Sequence, residues 1–361
     1  MSVLILGSCK NPQLIDTSPE FAIPLINSSL SIEDVLDHAN TGDIVQVDGN
    51  NFITLTYSEK VLSIDTVSLV KVPAFSIPQL LTTQTVPTSF PTNFRVDRIT
   101  VKNSKLYVSF EANALTAFTV NLTISSIKQG NTQLSHTMNV SNPSGTIPFM
   151  FQDSVDISGY DITFQNGTFS SQYTAKDNAT NLPVVLSNFI LNFPKIDYTY
   201  IEGYFGKRNF SLPVEQLSLG LFEQWKSGQV TFTDPKFRFK FENSYGFPLY
   251  VDFDTLQAIT RDAGNIDISI TGFDDGIDLN YPALNEVGQV KTSNVSFDKN
   301  NSNIINVLQQ VPYGLKYQFS GAANRLGDST STGFATDASK ITMTVIAEIT
   351  DGRFDSRFQI N

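Results

Sequence analysis

The chain has 361 residues, a net charge of −11, only 16% charged residues and 28 phenylalanines. The length implies two or three domains, and the scarcity of charge leaves Asn, Ser and Thr to supply the polar surface. The acidic balance without a basic stripe excludes a nucleic-acid partner. No segment approaches the about 20 apolar residues of a membrane helix.

The opening stretch, MSVLILGSCKNPQ, sets the only cysteine, Cys9, behind the apolar run Val3–Leu6. A buried thiol behaves as a small hydrophobe, and a nucleophilic one needs a supporting histidine. The only histidines are His38 and His136, and neither carries a catalytic motif. Leu6-Gly7-Ser8-Cys9 resembles a bacterial lipobox, in which small residues let a signal peptidase reach the backbone. The resemblance implies that Cys9 becomes the first residue and takes a lipid, with more than one acyl chain for stable anchoring. The apolar run is shorter than the about 7–15 residues of a signal peptide, so a start upstream of Met1 is expected. An apolar tail without a role is the alternative.

Residues 1–20 thus read as lipobox and tether. Residues 21–72 read as a small N-terminal α+β unit. Ser31-Ile32-Glu33-Asp34 is a capping box that predicts a short helix over 32–39, and two strands follow, "DIVQVDG" and "NNFITLTYS", turned at Asp48-Gly49-Asn50. Residues 73–92, with four prolines, read as a linker. Over 93–200 apolar residues recur at every second position with Asn, Gly and Ser at the breaks, which predicts an antiparallel β-sandwich. Residues 201–361 read as a second β-sandwich. Here "PVEQLSLGLFEQWKS" predicts a helix that packs Trp225 on a sheet. "KFRFKF" predicts a strand with Lys236, Arg238 and Lys240 on its polar face. Gly246 is expected to supply a positive φ between that strand and "LYVDFDTLQAI", Asn303 to Gln310 a short helix, and "SKITMTVIAEI" a strand. The closing "TDGRFDSRFQIN" begins another strand for which no partner is evident, as in a truncated chain. The fold class is therefore mainly all-β: tandem antiparallel β-sandwich modules with two or three short helices.

"FAIPLINSSLSIEDVL…VDGNNFITLTYSEKVLSI", together with "SGQVTFTDPKFRFKFENSYGFPLYVDFDTLQA" at 227–258, resembles a group of Bacteroidota secreted or lipid-anchored envelope proteins. That resemblance implies a place more than an activity. The strand, Gly/Pro turn and returning strand at 227–258 are also similar to the water-stress (WHy-type) late-embryogenesis sandwich, although Ser244 stands where that motif has proline; an ordinary hairpin is the alternative.

Chemistry is sparse. G-x-S-x-G, H-E-x-x-H, C-x-x-C and P-loop motifs are absent from the sequence, no carboxylate pair stands out for glycoside hydrolysis, and no cofactor is expected. The densest acidic run, Asp274, Asp275 and Asp278, is a weak calcium candidate against a plain Asp-Gly turn. The triplets that begin at Asp65, Asp153 and Asp254 resemble a Bacteroidota O-glycosylation signal. The expected function is a non-enzymatic envelope lipoprotein that serves as a structural or protein-interaction subunit. Its expected contacts are the membrane, through the Cys9 lipid, and envelope proteins. The alternatives are a carbohydrate-binding envelope lipoprotein and a periplasmic accessory or plug of a secretion channel. The first acid after Cys9 is Asp16, which favours an outer-membrane anchor facing the periplasm over the cell surface.

Overall fold

The computed structural model describes residues 43–47, 53–65, 69–90, 94–142, 144–218, 225–227, 230–232, 234–273, 275–350, 352–354 and 359–360. All belong to one compact unit, residues 40–361. Cys9, His38 and the expected helix over 32–39 lie outside the described residues.

The unit is mainly β. Four sheets form two sandwiches. The first sandwich sets a four-stranded sheet against an eight-stranded one. The smaller sheet has the order β3 (Phe75–Gln79), β12 (Leu186–Phe193), β6 (Lys105–Ala112) and β9 (Phe149–Asp156). The larger runs β24 (Gly333–Thr336), β13 (Asp197–Tyr204), β5 (Arg95–Asn103), β10 (Asp161–Thr163), β7 (Phe118–Gln129), β11 (Thr168–Asp177) and β4 (Thr83–Pro87), with β8 (Thr132–Val140) also on β7. The second sandwich has a five-stranded sheet, β1 (Asp43–Val47), β2 (Ile53–Asp65), β25 (Lys340–Thr350), β18 (Lys236–Asn243) and β22 (Lys291–Asp298). Opposite it, β14 (Arg208–Ser211) and β15 (Glu215–Ser218) pair in turn along one edge of β23 (Gly314–Ala323), β19 (Leu249–Ile259) pairs the other, and β20 (Asn265–Asp267) and β21 (Ile277–Leu279) each pair β19 in turn. Two small ribbons pair β16 (Trp225–Ser227) with β27 (Gln359–Ile360) and β17 (Val230–Phe232) with β26 (Gly352–Phe354). Among the described residues helix is confined to short pieces such as α1 (Ile304–Leu308), inside the expected 303–310.

Period-2 alternation builds both cores. In β18 the phenylalanines at 237, 239 and 241 are buried, while Lys236 and Arg238 are exposed, as the sequence predicts. Burying one such ring stabilises by about 1.5–3 kcal/mol. Rings meet across the first sandwich at Tyr173–Phe189 (4.8 Å) and Phe169–Phe193 (6.0 Å), and across the second at Phe239–Phe253 (4.8 Å) and Phe241–Phe319 (6.2 Å). On one flank of the first sandwich, His136 of β8 reaches Asp153 of β9 at 2.9 Å and ties the two sheets together.

The sandwiches share strands and core. β24 lies in sequence between β23 and β25, yet pairs with β13 of the first sandwich. Its Phe334 exchanges backbone hydrogen bonds with Gly246 of the second, at 2.9 and 3.3 Å. Phe205 touches Phe94 at 5.7 Å and Phe247 at 5.1 Å. The segment after β2 connects both as well: the Arg208 guanidinium of β14 donates to the Leu69 carbonyl (3.4 Å) and the Tyr198 hydroxyl of β13 to that of Val70 (2.7 Å).

Three expectations change. Residues 73–92 hold two strands, β3 and β4, rather than a plain connection. Each lies at the end of its sheet's strand order, where Pro78 and Pro87 cost no ladder bond. In the stretch expected to be helical around Trp225 the described residues form strands, β15 and β16, while 219–224 lie outside the described residues; β23 offers Glu215–Ser218 a free edge, and such pairing overrides local propensity. Gly246 has no positive φ. Glycine is needed there for space, since a Cβ would sit 2.0 Å from the Phe334 ring.

Candidate functional site

Register assembles one end of the first sandwich from loops far apart in sequence. Ala112 of β6 faces both Phe149 of β9 and Leu186 of β12. Phe118 of β7 faces both Val140 of β8 and Asp177 of β11. These pairs bring together the loops 113–117, 141–148 and 178–185. The turn 80–82 joins them, because Gln79 faces Phe189 and the Tyr173 amide donates to the Thr82 carbonyl at 2.7 Å.

This end is apolar and exposed. Leu80 and Val185 are 79% and 78% exposed. Leu81, Leu115, Leu182 and Met150 are each 64–65% exposed, and Ile147 is 51%. The four loops contain no Asp, Glu, Lys or Arg. The nearest charges, Glu111, Lys176 and Asp177, sit on the strands beneath.

Short polar side chains brace these loops from inside. Gln84 accepts from the Leu80 amide (2.9 Å) and donates to the Pro78 carbonyl (2.8 Å), while Gln79 donates to the Leu81 carbonyl (2.8 Å). Asn142 donates to the carbonyls of Ala114 (3.1 Å) and Thr146 (2.7 Å) and accepts from the Gly145 amide (3.0 Å). Asp177 accepts from the Thr116 hydroxyl and from the amides of Ala179 (3.0 Å) and Thr180 (2.8 Å). These bonds, from Thr116 first and then Thr180, hold its carboxyl down at about 2. Gln79 and Gln84 are themselves buried, whereas Asn142 and Asp177 make their bonds at the surface; together these bonds tie the loop backbones down while the apolar side chains stand in water.

The outer face of the four-stranded sheet adjoins this end. Tyr107 is exposed there, with Asn192 and Ser154 facing it on either side. Ile190 lies in the next row, between Ser109 and Pro78.

Two other surfaces differ. On the outer face of the five-stranded sheet each cation of β18 has an acidic neighbour: Lys236–Asp234 at 3.1 Å, Lys240–Glu242 at 2.8 Å and Arg238–Glu348 at 4.0 Å. On the six-stranded sheet a groove of about 480 Å³ is floored by Gly321 and Ala322 and walled by Asn209, Ser211, Ser320 and Tyr250. Arg325 lies 4.6 Å over the Tyr250 ring and forks onto Asp278 at 2.8 and 2.5 Å. Burial first, then the neighbouring Asp252 carboxylate, raises the Tyr250 hydroxyl above its ordinary value, so it stays a donor.

The expected site residues scatter. Asp274 lies outside the described residues. The backbone carbonyl of Asp275 accepts from the Tyr250 hydroxyl, and the Asp278 carboxylate is engaged by Arg325. Among the described residues no three His, Cys, Asp or Glu come together to hold a metal, and no helix is long and apolar enough to cross a membrane. For Trp225 the description stops at its strand. The apolar end was missed in the sequence. Its available signal was the adjacent pairs Leu80-Leu81 and Val184-Val185, which break alternation inside uncharged stretches.

No protein-family model matches the chain, and no curated protein matches it in sequence. Among solved structures, a protein proposed to be secreted, from Parabacteroides distasonis, a member of the Bacteroidota, aligns over 84% of this chain and 91% of its own. The identity is 8% and the TM-score 0.23. The CBM22-1–CBM22-2 tandem domain of Paenibacillus barcinonensis Xyn10C aligns over 82% and 98% at 8% identity and a TM-score of 0.21. A structure of infectious bursal disease virus, Gx strain, aligns over 89% and 78% at 9% identity and a TM-score of 0.17. TM-scores this low carry no argument about what the chain does.

Proposed function

We propose that the protein is a non-enzymatic envelope lipoprotein, anchored through Cys9 and facing the periplasm from the outer membrane, that acts by binding a protein partner through the uncharged end of the first sandwich. The carrying observation is that six large apolar side chains, each at least half exposed, converge on loops without a single charge, with Met150 beside them at the start of β9. Contiguous exposed apolar surface of this kind marks interaction sites, and cores of protein interfaces are depleted in charge. A photo-crosslinking side chain placed at position 182 in the native host is expected to give one discrete adduct, and the same side chain at position 238 none. Equal labelling at both positions contradicts the reading. The anchor is tested separately: Cys9→Ser moves the protein from the membrane to the soluble fraction, and retention in the membrane refutes the lipid.

A second reading has its own observation. The groove beside Tyr250 offers an aromatic ring braced by Arg325, with amide and hydroxyl groups around a floor of small residues. It suits a glycan as ligand. Retardation in native gels containing soluble polysaccharide, lost in Tyr250→Ala, supports it; unchanged migration with every polysaccharide counts against it.

A further inference from the structure

We propose that the groove beside Tyr250 takes a neutral polysaccharide and rejects acidic ones. This rests on reading that groove as a glycan site and names the class of glycan it takes.

Register builds the groove. Asn209 of β14 and Tyr250 of β19 both face Ala322 of β23, while Ser211 and Asp252 both face Ser320. The intervening Val251 is buried, which puts both rows on the outer face of the six-stranded sheet. Two interstrand gaps set the backbones of Asn209 and Tyr250 about 10 Å apart, the length of about two pyranose units in a chain.

The ring of Tyr250 is held ready. Its hydroxyl donates to the Asp275 carbonyl, and Arg325 stacks over the ring at 4.6 Å. Gly276 leaves room for the hydroxyl, since a Cβ there would sit 2.6 Å from it. The groove is lined by Tyr250 and not by Arg325, so it meets the part of the ring that the guanidinium leaves uncovered. A ring fixed in this way offers apolar area at little entropic cost, and the C–H face of a pyranose is its counterpart.

Hydrogen bonding sets the class of ligand. A sugar hydroxyl both donates and accepts, and the groove offers both. The Ser320 hydroxyl donates to Asp254 (2.7 Å), which leaves its oxygen to accept. The Ser211 hydroxyl accepts from the Gln318 amide (3.4 Å), which leaves its hydrogen to donate. Asn209 is exposed, and its amide carries both kinds of group.

Charge points the same way. Carboxylate and sulfate groups are recognised by Arg and Lys, and among the described residues that line the groove none is charged. Arg325, at its border, is forked onto Asp278 at 2.8 and 2.5 Å. Asp252 and Asp254 flank Ser320. An acidic glycan would meet carboxylates where it needs cations.

The test is affinity electrophoresis in native gels, on the full chain with Cys9→Ser so that no lipid alters its migration. Hydroxyethylcellulose, galactomannan and soluble starch serve as neutral polymers, polygalacturonate and heparin as acidic ones, and glycol chitosan as a cationic one. The expected result is retention by at least one neutral polymer and by neither acidic one. Tyr250→Ala should weaken that retention at least about tenfold, and Tyr250→Phe less than about threefold, because the ring carries the contact. Asn209→Ala with Ser211→Ala should weaken it at least about fivefold, and Arg238→Gln on the five-stranded sheet should leave it unchanged. Where Tyr250→Ala unfolds the sheet, the Asn209 and Ser211 pair decides, and retention that survives it overturns the proposal. Retention by an acidic polymer or by glycol chitosan that these variants abolish overturns the neutral class alone and leaves the glycan reading standing. No retention by any polymer overturns both.

Discussion

The outer face of the five-stranded sheet and the uncharged end of the first sandwich both face solvent, yet they are built oppositely. On the sheet face Lys236, Arg238 and Lys240 alternate with buried phenylalanines, and each has an acidic neighbour. At the sandwich end Leu, Val, Ile and Met stand in water on loops tied down by Gln79, Gln84, Asn142 and Asp177. Satisfied charges ask nothing of a neighbour and are individually worth little. Apolar side chains held outward by a rigid frame leave free energy to be gained on contact. Surface composition thus separates a face whose charges are paired from one whose apolar side chains stand in water.

Several changes break or sharpen this contrast. The largest effect is expected at the frame that both regions share. Gly246→Val drives a side chain into the Phe334 ring, where even a Cβ sits 2.0 Å away. Overpacking at such a junction costs about 3 kcal/mol or more, read as a fall in the denaturant midpoint. A loss under about 1 kcal/mol, the size of an ordinary substitution, would show that the junction is loose.

Next, His136→Ala removes the tie between β8 and β9, a half-buried pair at 2.9 Å. The expected cost is about 1 kcal/mol, measured by urea unfolding, with no change at the five-stranded sheet.

A smaller and more local effect is expected at Asp177. Its folded carboxyl titrates at about 2, below the roughly 3.9 of an unfolded aspartate. The stabilisation it lends is therefore complete above about pH 4 and is lost as the pH falls towards 2. Protection of the Ala179 and Thr180 amides should decline over that window, and Asp177→Asn should reduce it already at neutral pH. Protection that stays flat down to pH 2 would contradict the bracing role. Smallest of all is Arg238→Gln on the sheet face, which should change stability by no more than about 0.5 kcal/mol.

Much of the fold was legible because it follows local alternation. "LYVDFDTLQAI" is β19 from its first residue to its last, and "KFRFKF" has the expected buried and exposed faces. Where reading failed, a distant partner decided. Pro78 and Pro87 read as linker residues, yet each lies in a strand whose other side needs no donor. Glu215–Ser218 has no strand pattern of its own and pairs because β23 is there. Gly246 reads as a turn glycine with a positive φ, whereas its φ is not positive and its role is to leave room for the ring of Phe334, 88 residues later. The uncharged end was illegible for the same reason. Its four loops begin at residues 80, 113, 141 and 178, and only the register of β6, β7, β9, β11 and β12 brings them together.

The central claim is that this end exposes apolar side chains that the fold does not need. Its most direct test is denaturant unfolding of the dilute Leu80→Asp, Leu115→Asp, Leu182→Asp, Val185→Asp protein. We expect a stability within about 1 kcal/mol of the parent, because none of the four side chains leaves a packed core. A loss of several kcal/mol would mean that these residues are buried against the body of the protein, and the end would not be a binding surface.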